Sequence, residues 1–124
     1  MSAFDPDYKI ACVRPSPNHG ERKDGRKPDM LILHYTGMPT AKAALDWLCS
    51  EESQVSSHYF VDEAGIVTQL LPESARGWHA GQSCWKGETD INSASIGIEI
   101  ANPGHEAGSP PFDEAQIKSV IALC

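Results

Sequence analysis

The sequence predicts an α/β fold in which a central mixed β-sheet is flanked by helices. An apolar run at 30–34 and an alternating segment at 95–100 have the periodicity of strands. Segments 40–52 and 113–124 have apolar residues at helical spacing. With 124 residues, 40% of them hydrophobic, the chain is expected to form one small domain with these two strands in the middle of its sheet.

Composition narrows the classes of function. The net charge of −7 and the isoelectric point of 5.1 argue against a nucleic acid or an anionic membrane surface as a partner. The segment Met1–Asp7 has neither the basic nor the apolar part of a secretory signal, so we expect a cytoplasmic protein. The four cysteines form no Cys-x-x-Cys pair and are expected to be free thiols.

Residues 1–28 are rich in proline, asparagine, glycine and charge, and are expected to form an irregular arm on the surface. The apolar run after this arm is bounded by Pro28 and Gly37 and is typical of a strand buried on both faces. His34 ends the run, where a sheet opens toward a cleft. A histidine in that place is a candidate metal ligand or general base.

The next two elements follow from local patterns. Thr40 is expected to cap a helix whose apolar stripe faces the core, and the stripe consists of Ala41, Ala44, Leu45 and Leu48. Trp47 lies beside this stripe and is assigned to core packing rather than to sugar binding. Residues 57–62 and 66–71 are predicted to form a β-hairpin, because the residues between them have the composition of a turn.

Residues 72–94 form a long connection, and a loop of that length in a compact domain usually carries function. In the strand that follows, the isoleucines point to one face and Ser95, Gly97 and Glu99 to the other. Because Gly97 has no side chain, a substrate is expected to approach the Glu99 carboxylate closely. We expect His34 and Glu99 to face the same cleft, which suits hydrolysis by a metal-bound water and a carboxylate base.

The last predicted helix begins at Asp113, with Gln116 at the capping-box position and an apolar stripe of Ile117, Val120 and Ile121. Its pattern runs to Cys124 without a glycine cap or a basic last turn. We therefore expect this helix to be cut off.

Four motifs occur in order at plausible spacing: His34–Thr36, Val55–Tyr59, Trp78–Gly81 and Ser95–Glu99. In these motifs the chain resembles the zinc-dependent N-acetylmuramoyl-L-alanine amidases, a family that includes the T7-type lysozymes and the peptidoglycan recognition proteins. The resemblance runs from about Pro28 to the last residue and is closest to the bacterial muropeptide amidases.

The resemblance implies a site and a substrate. His34 would be one ligand of a zinc ion that polarises the amide carbonyl and lowers the pKa of a bound water, and Glu99 would take the proton of that water. Trp78, His79 and Trp85 would line the cleft and bind muropeptides, including anhydro forms. The other two ligands of the family, a histidine and an aspartate or cysteine, lie in a segment after the last helix. The chain is therefore expected to be a single amidase domain, 1–124, that lacks its final segment and is inactive as given.

Two alternatives stay open. His34, His58 and His79 together form a possible, less favoured, set of metal ligands. The chain is alternatively a non-catalytic module that binds peptidoglycan fragments and lacks a complete zinc site. The absent ligands favour this module, whereas Glu99 favours the enzyme, because a pure binder needs no general base.

Overall fold

The computed structural model describes residues 4–124. Within this range the elements are β1 (Cys12–Val13), β2 (Gly20–Glu21), β3 (Met30–Tyr35), α1 (Ala41–Leu48), β4 (Tyr59–Val61), β5 (Val67–Gln69), β6 (Ala75–Arg76), α2 (Ile91–Ala94), β7 (Ser95–Ile100) and α3 (Glu114–Leu123). None of the helices in these residues has the length and apolar character needed to cross a bilayer. All four cysteines are free thiols, as predicted.

Five strands form one mixed sheet in the order β1-β5-β4-β7-β3. The hairpin partners β4 and β5 are antiparallel, whereas β1 with β5, β4 with β7, and β7 with β3 are parallel pairs. Strands β2 and β6 form a separate antiparallel pair. The predicted α/β class, with a mixed sheet and flanking helices, is confirmed.

The predicted position of β3 is wrong. Strand β7 lies inside the sheet, but β3 is an edge strand that pairs with β7 alone. Leu31, Leu33 and Tyr35 are 47–52% exposed, so β3 is not buried on both faces. The apolar run predicts that a strand is present but not where it lies in the sheet, because that place depends on partners distant in sequence.

The N-terminal arm is not wholly irregular. Its strand β1 forms the opposite edge of the main sheet, with Cys12 in register with Thr68 and Val13 with Gln69. The side-chain amide of the buried Asn18 donates hydrogen bonds to the carbonyls of Ser50 and Val55, at 2.8 Å each. The arm is thus fixed to the domain by backbone pairing and by side-chain contacts to carbonyls, neither of which gives a periodic sequence signal.

The two helices that flank the sheet define its faces. On the α1 face, Ala44 and Leu48 pack with Phe60, Leu70 and Ala101. On the α3 face, Val120 packs in one buried cluster with residues of the three inner strands, namely Tyr59, Val61, Val67, Ile98 and Ile100.

Both predicted helix starts are confirmed. Thr40 Oγ1 accepts a hydrogen bond from the backbone N–H of Ala43 at 3.1 Å, and Gln116 Oε1 accepts one from the N–H of Asp113 at 3.3 Å.

Candidate active site

His34 and Glu99 are neighbours across the parallel pair of β3 and β7. The register pairs His34 with Glu99, so both side chains point to the same face of the sheet. Phe60 of β4 is the partner of Glu99 on the other side, and it belongs to the α1-face cluster. The predicted placement of His34 and Glu99 on one side of the sheet is therefore confirmed, and that side is the α1 face. Of the two, Glu99 lines the cavity on this face and His34 does not.

Glu99 is partly buried, and one of its two carboxylate oxygens has no partner in the described part of the chain. Its Oε2 atom is shielded from solvent and has no hydrogen-bond partner within residues 4–124. Removal from water disfavours the charged form, which raises the pKa of Glu99 from 4.5 to about 7. A carboxyl group with such a pKa can exchange a proton near neutral pH, which is the property required of a general base or acid.

Glu99 opens on a cavity of about 260 Å³ beneath α1. The lining combines apolar side chains with a few polar ones, and it consists of Thr36, Met38, Ala44, Trp47, Leu48, Val55, Ser56, Trp78, His79 and Glu99. A mostly apolar pocket with a few converging polar groups is typical of a small-molecule site.

Two of the three tryptophans do not lie where the sequence placed them. Trp78 lines the cavity, as predicted. Trp47 lines it too and is 46% exposed, so its assignment to core packing is wrong. It sits at the rim of the helix stripe, and helical spacing alone does not separate a cavity wall from the core.

Trp85 is not among the residues that line the cavity, contrary to the prediction, and its side chain is 59% exposed. The N–H groups of Trp85 and Glu88 each donate to the carbonyl of the other at 2.9 Å, across a tight turn at Lys86 and Gly87. The ammonium of Lys86 lies 5.9 Å from the Trp85 ring centroid, within cation–π range. The local turn therefore holds Trp85 on the surface.

The ring of His79 occupies the space beside Glu99 that was assigned to a substrate. A Cβ atom at Gly97 would lie 2.7–2.9 Å from three atoms of this ring. Gly97 is therefore required for the close approach of His79 to β7, and the expected approach of a substrate over Gly97 is wrong. Gly97 does allow a close approach to β7, as the sequence predicted, but the approaching group is the His79 ring and not a substrate.

Both ring nitrogens of His79 have protein partners. Its Nδ1 lies 3.0 Å from His34 Nε2, and its Nε2 lies 3.2 Å from Ser95 Oγ. Burial, together with the charges of His34, His58 and nearby arginines, lowers the pKa of His79 to about 3. His79 lines the cavity as a neutral ring, and it can contact a ligand through its ring carbons only.

His58 is fully buried and serves the backbone. Its Nδ1 accepts a hydrogen bond from the N–H of Gly97 at 3.1 Å, and its Nε2 lies 2.9 Å from the carbonyl of Ala75. Burial lowers its pKa to about 4. Because both nitrogens are engaged, His58 is not free to complete a metal site with His34 and His79.

Two residues that the sequence did not single out hold the loop of His79. The guanidinium of the buried Arg22 donates to the carbonyls of four residues at 2.7–3.2 Å, namely Glu73, Asn92, Ser93 and Ser95. The side-chain oxygen of Asn92 accepts from the N–H groups of His79 and Ala80, at 3.0 and 2.9 Å. Contacts to backbone atoms leave no motif, so only the three-dimensional structure identifies them.

The described residues offer too few ligands for a catalytic zinc ion. Such an ion needs about three protein ligands and one open position. Within residues 4–124, no group of three or more histidine, cysteine, aspartate or glutamate side chains is placed to hold a metal. His34 is available as one ligand, but the described residues do not form a zinc site by themselves.

The chain is similar to a family of known enzymes. Residues 24–124 match the family model described as N-acetylmuramoyl-L-alanine amidase. The chain is 37% identical over 108 residues to "N-acetylmuramoyl-L-alanine amidase AmiD" of Escherichia coli, which covers 76% of this chain and 37% of that protein. It is 29% identical over 126 residues to "1,6-anhydro-N-acetylmuramyl-L-alanine amidase AmpD" of Enterobacter cloacae, covering 88% of this chain and 65% of that protein.

Among solved structures, the complex of AmiD from E. coli with "the substrate anhydro-N-acetylmuramic acid-L-Ala-D-gamma-Glu-L-Lys" superimposes with a TM-score of 0.71 at 36% identity. The match covers 84% of this chain and 44% of that one. The chain therefore spans less than two thirds of the length of these curated relatives. The family match covers most of the chain, and the chain belongs to the N-acetylmuramoyl-L-alanine amidase family.

Proposed function

We propose that this chain forms the substrate-binding and proton-transfer part of an enzyme that hydrolyses the amide bond between N-acetylmuramic acid and L-alanine in peptidoglycan fragments. The observation that carries the proposal is the Glu99 carboxylate, whose Oε2 has no hydrogen-bond partner within residues 4–124 and which faces a cavity beside the His34–His79 pair. A structural carboxylate in that position would have a partner for Oε2.

In this proposal Glu99 is the general base. Its carboxylate accepts a proton from the attacking water and passes it to the nitrogen of the leaving L-alanine as the amide bond breaks. A pKa of about 7 makes both transfers accessible near neutral pH. The apolar walls of Trp47 and Trp78 would exclude bulk water and contact the muramyl or peptide part of the substrate. Muropeptides with an anhydro sugar are the proposed substrates, since the AmiD structure holds one.

Zinc is the proposed cofactor of the complete enzyme, with His34 as one of its ligands. The described residues supply no set of three ligands, so the remaining ligands would come from polypeptide outside these 124 residues. The greater length of AmiD and AmpD supports this proposal. Calorimetric titration should show weak zinc binding to the present chain. Sub-micromolar affinity that is lost in His34→Ala would show that the chain completes the site by itself.

We place the protein in the cytoplasm. Four free cysteines support this location, because thiols persist in a reducing compartment. Cell fractionation with a tagged native gene would detect the protein in the cytoplasmic fraction, and recovery from the periplasm or the membrane fraction would contradict the proposal.

The decisive assay follows the release of the stem peptide from an anhydromuramyl-tripeptide by chromatography. The protein should be the full-length product of the gene, loaded with zinc. Glu99→Gln should lower turnover by about a hundredfold to ten-thousandfold. The matched control, Glu63→Gln, changes an exposed carboxylate in the β4–β5 turn and should leave turnover unchanged.

The alternative function is binding of the same fragments without cleavage. The absence of a three-ligand group within residues 4–124 is the observation that favours it. Tight binding of the muropeptide by the zinc-loaded full-length protein, with no release of peptide, would establish this alternative and overturn the amidase proposal.

A further inference from the structure

We propose that His79 is a positioning residue for His34. A chain of hydrogen bonds runs from the carbonyl of Ile91 through the Ser95 hydroxyl and the His79 ring to His34. Its direction places the proton of the neutral His34 ring on Nε2 and leaves a lone pair on Nδ1. The meaning of this arrangement for catalysis rests on the proposed function, in which His34 is a metal ligand.

The direction of the chain is fixed at the Ser95 hydroxyl. Ser95 Oγ lies 2.7 Å from the carbonyl oxygen of Ile91, which can only accept a hydrogen bond. The hydroxyl has one hydrogen, and it is donated there. The contact of 3.2 Å between Ser95 Oγ and His79 Nε2 must then be donated by the ring, so the proton of His79 is on Nε2.

The next bond follows from the neutral state of His79. The ring packs edge to face against the rings of His34 and His58, and within residues 4–124 neither of its nitrogens contacts a carboxylate that would hold a second proton. Its Nδ1 is therefore an acceptor. His34 Nε2, 3.0 Å away, has to be the donor of this hydrogen bond.

The consequence for His34 is a defined tautomer. With the proton on Nε2, Nδ1 carries the lone pair, and no hydrogen bond to Nδ1 occurs within residues 4–124. A neutral imidazole binds a metal ion only through an unprotonated nitrogen. The opposite direction of the His34–His79 bond would put the proton on Nδ1 and block it. His79 therefore selects which nitrogen of His34 is available.

The residues around His79 fix the position of its ring and so stabilise this direction of the His34–His79 hydrogen bond. Asn92 fixes the backbone at His79, Gly97 provides the space for its ring, and the rings of His34 and His79 meet edge to face at 82° with centroids 5.1 Å apart. A histidine that served only to fill the core would need neither the polar contact at Nδ1 nor the one at Nε2.

The test is nuclear magnetic resonance of the ¹⁵N-labelled 124-residue chain, without metal, at pH 7.5. We expect His34 and His79 both to be protonated on Nε2. A coupling across the hydrogen bond should link His34 Nε2 with His79 Nδ1, and the His34 Nε2–H proton should exchange slowly with water. Protonation of either ring on Nδ1 would overturn the proposal.

Two variants separate positioning from packing. His79→Asn places an amide oxygen near the position of Nδ1 and should keep the slow exchange of the His34 proton. His79→Gln places its amide near the position of Nε2 and should accelerate this exchange at least tenfold. His19→Gln, far along the sequence in the N-terminal arm, is the control. Equal protection in both His79 variants, with unchanged backbone spectra, would contradict the positioning role.

The outcome is independent of the proposed function. The direction of the bonds is measured without substrate or zinc, so the positioning role can fail while the amidase activity stands. Conversely, the predicted tautomers combined with an inactive full-length protein would overturn the amidase proposal alone. If a His79 variant fails to fold, the coupling and the tautomers of the unmodified chain still decide the question.

Discussion

The two faces of the main sheet are made from the same strands but have opposite chemistry. On the α3 face, Ile98 and Ile100 of β7 are buried among other apolar residues. On the α1 face, Gly97 and Glu99 of the same strand adjoin the ring of His79 and the cavity. The alternation of side chains along β7 thus separates the core that stabilises the domain from the site, where an unpartnered carboxylate costs stability.

The buried hydrogen bonds that Arg22 donates should be the contacts most sensitive to mutation. Arg22→Met leaves the carbonyls of four residues without their buried donor, and we expect a loss of about 3–5 kcal/mol in the free energy of unfolding. Urea denaturation measures this loss. The control is Arg14→Met, because Arg14 pairs with Asp46 at the surface and such pairs contribute about 1 kcal/mol or less. Equal losses of unfolding free energy in both variants would contradict the conclusion that the buried hydrogen bonds of Arg22 stabilise the domain.

The α3 face contains its own comparison, between Ile98 and its register partner Leu33. Ile98 is 1% exposed and Leu33 is 52% exposed. Ile98→Ala should destabilise the domain by about 2–5 kcal/mol, because it leaves a cavity in the core. Leu33→Ala should cost about 1 kcal/mol or less. Similar costs, measured by urea denaturation, would show that β3 is covered in solution.

Glu99 should destabilise the domain at neutral pH. Between pH 4.5 and about 7 the unfolded chain has lost the Glu99 proton while the folded chain retains it, so the contribution of Glu99 to stability falls as the pH rises. Glu99→Gln should therefore raise the free energy of unfolding by roughly 2–3 kcal/mol at pH 8, with the gain vanishing toward pH 4. Urea denaturation at several pH values checks this. A loss of stability at pH 8 would mean that the carboxylate has a partner.

Gly97→Ala should disturb the site more than the fold. The added methyl group would lie within 3 Å of the His79 ring, which has to move. Such overpacking typically costs about 1–3 kcal/mol. The hydrogen bond between His34 and His79 should be lost, as measured by faster exchange of the His34 ring proton. Ala94→Gly, at the end of α2, provides a control of similar size change. Retention of slow exchange in Gly97→Ala would contradict the close approach of His79 to β7.

Part of the fold and of the site could be read from the sequence, because their signals are local. The alternation of side chains along the strand predicted that Glu99 points to the face away from the isoleucines, and cap residues predicted the starts of α1 and α3. The edge position of β3 could not be predicted, because it depends on its pairing with β7 alone, and the paired residues are 65 positions apart in the sequence.

The remaining errors concern side chains whose partners are backbone atoms or distant loops. Arg22 and Asn92 act on carbonyl and N–H groups, which every residue carries, so no motif marks them. The sequence indicated that Gly97 leaves free space beside Glu99, but no local pattern shows that the His79 ring fills this space. Trp47 lines the cavity and Trp85 lies on the surface, contrary to both predictions, because the walls of a cavity are defined by the assembled fold.

The most direct test of the account is the pKa of Glu99 itself. A titration of the ¹³C signal of its side-chain carboxyl by nuclear magnetic resonance, in the 124-residue chain without metal, reports the ionisation of this group alone. We expect a midpoint near pH 7, because the buried Oε2 atom has no donor within residues 4–124. A midpoint near 4.5, the ordinary value for a glutamate, would show that Glu99 is solvated or paired and would contradict its assignment as the base of the site.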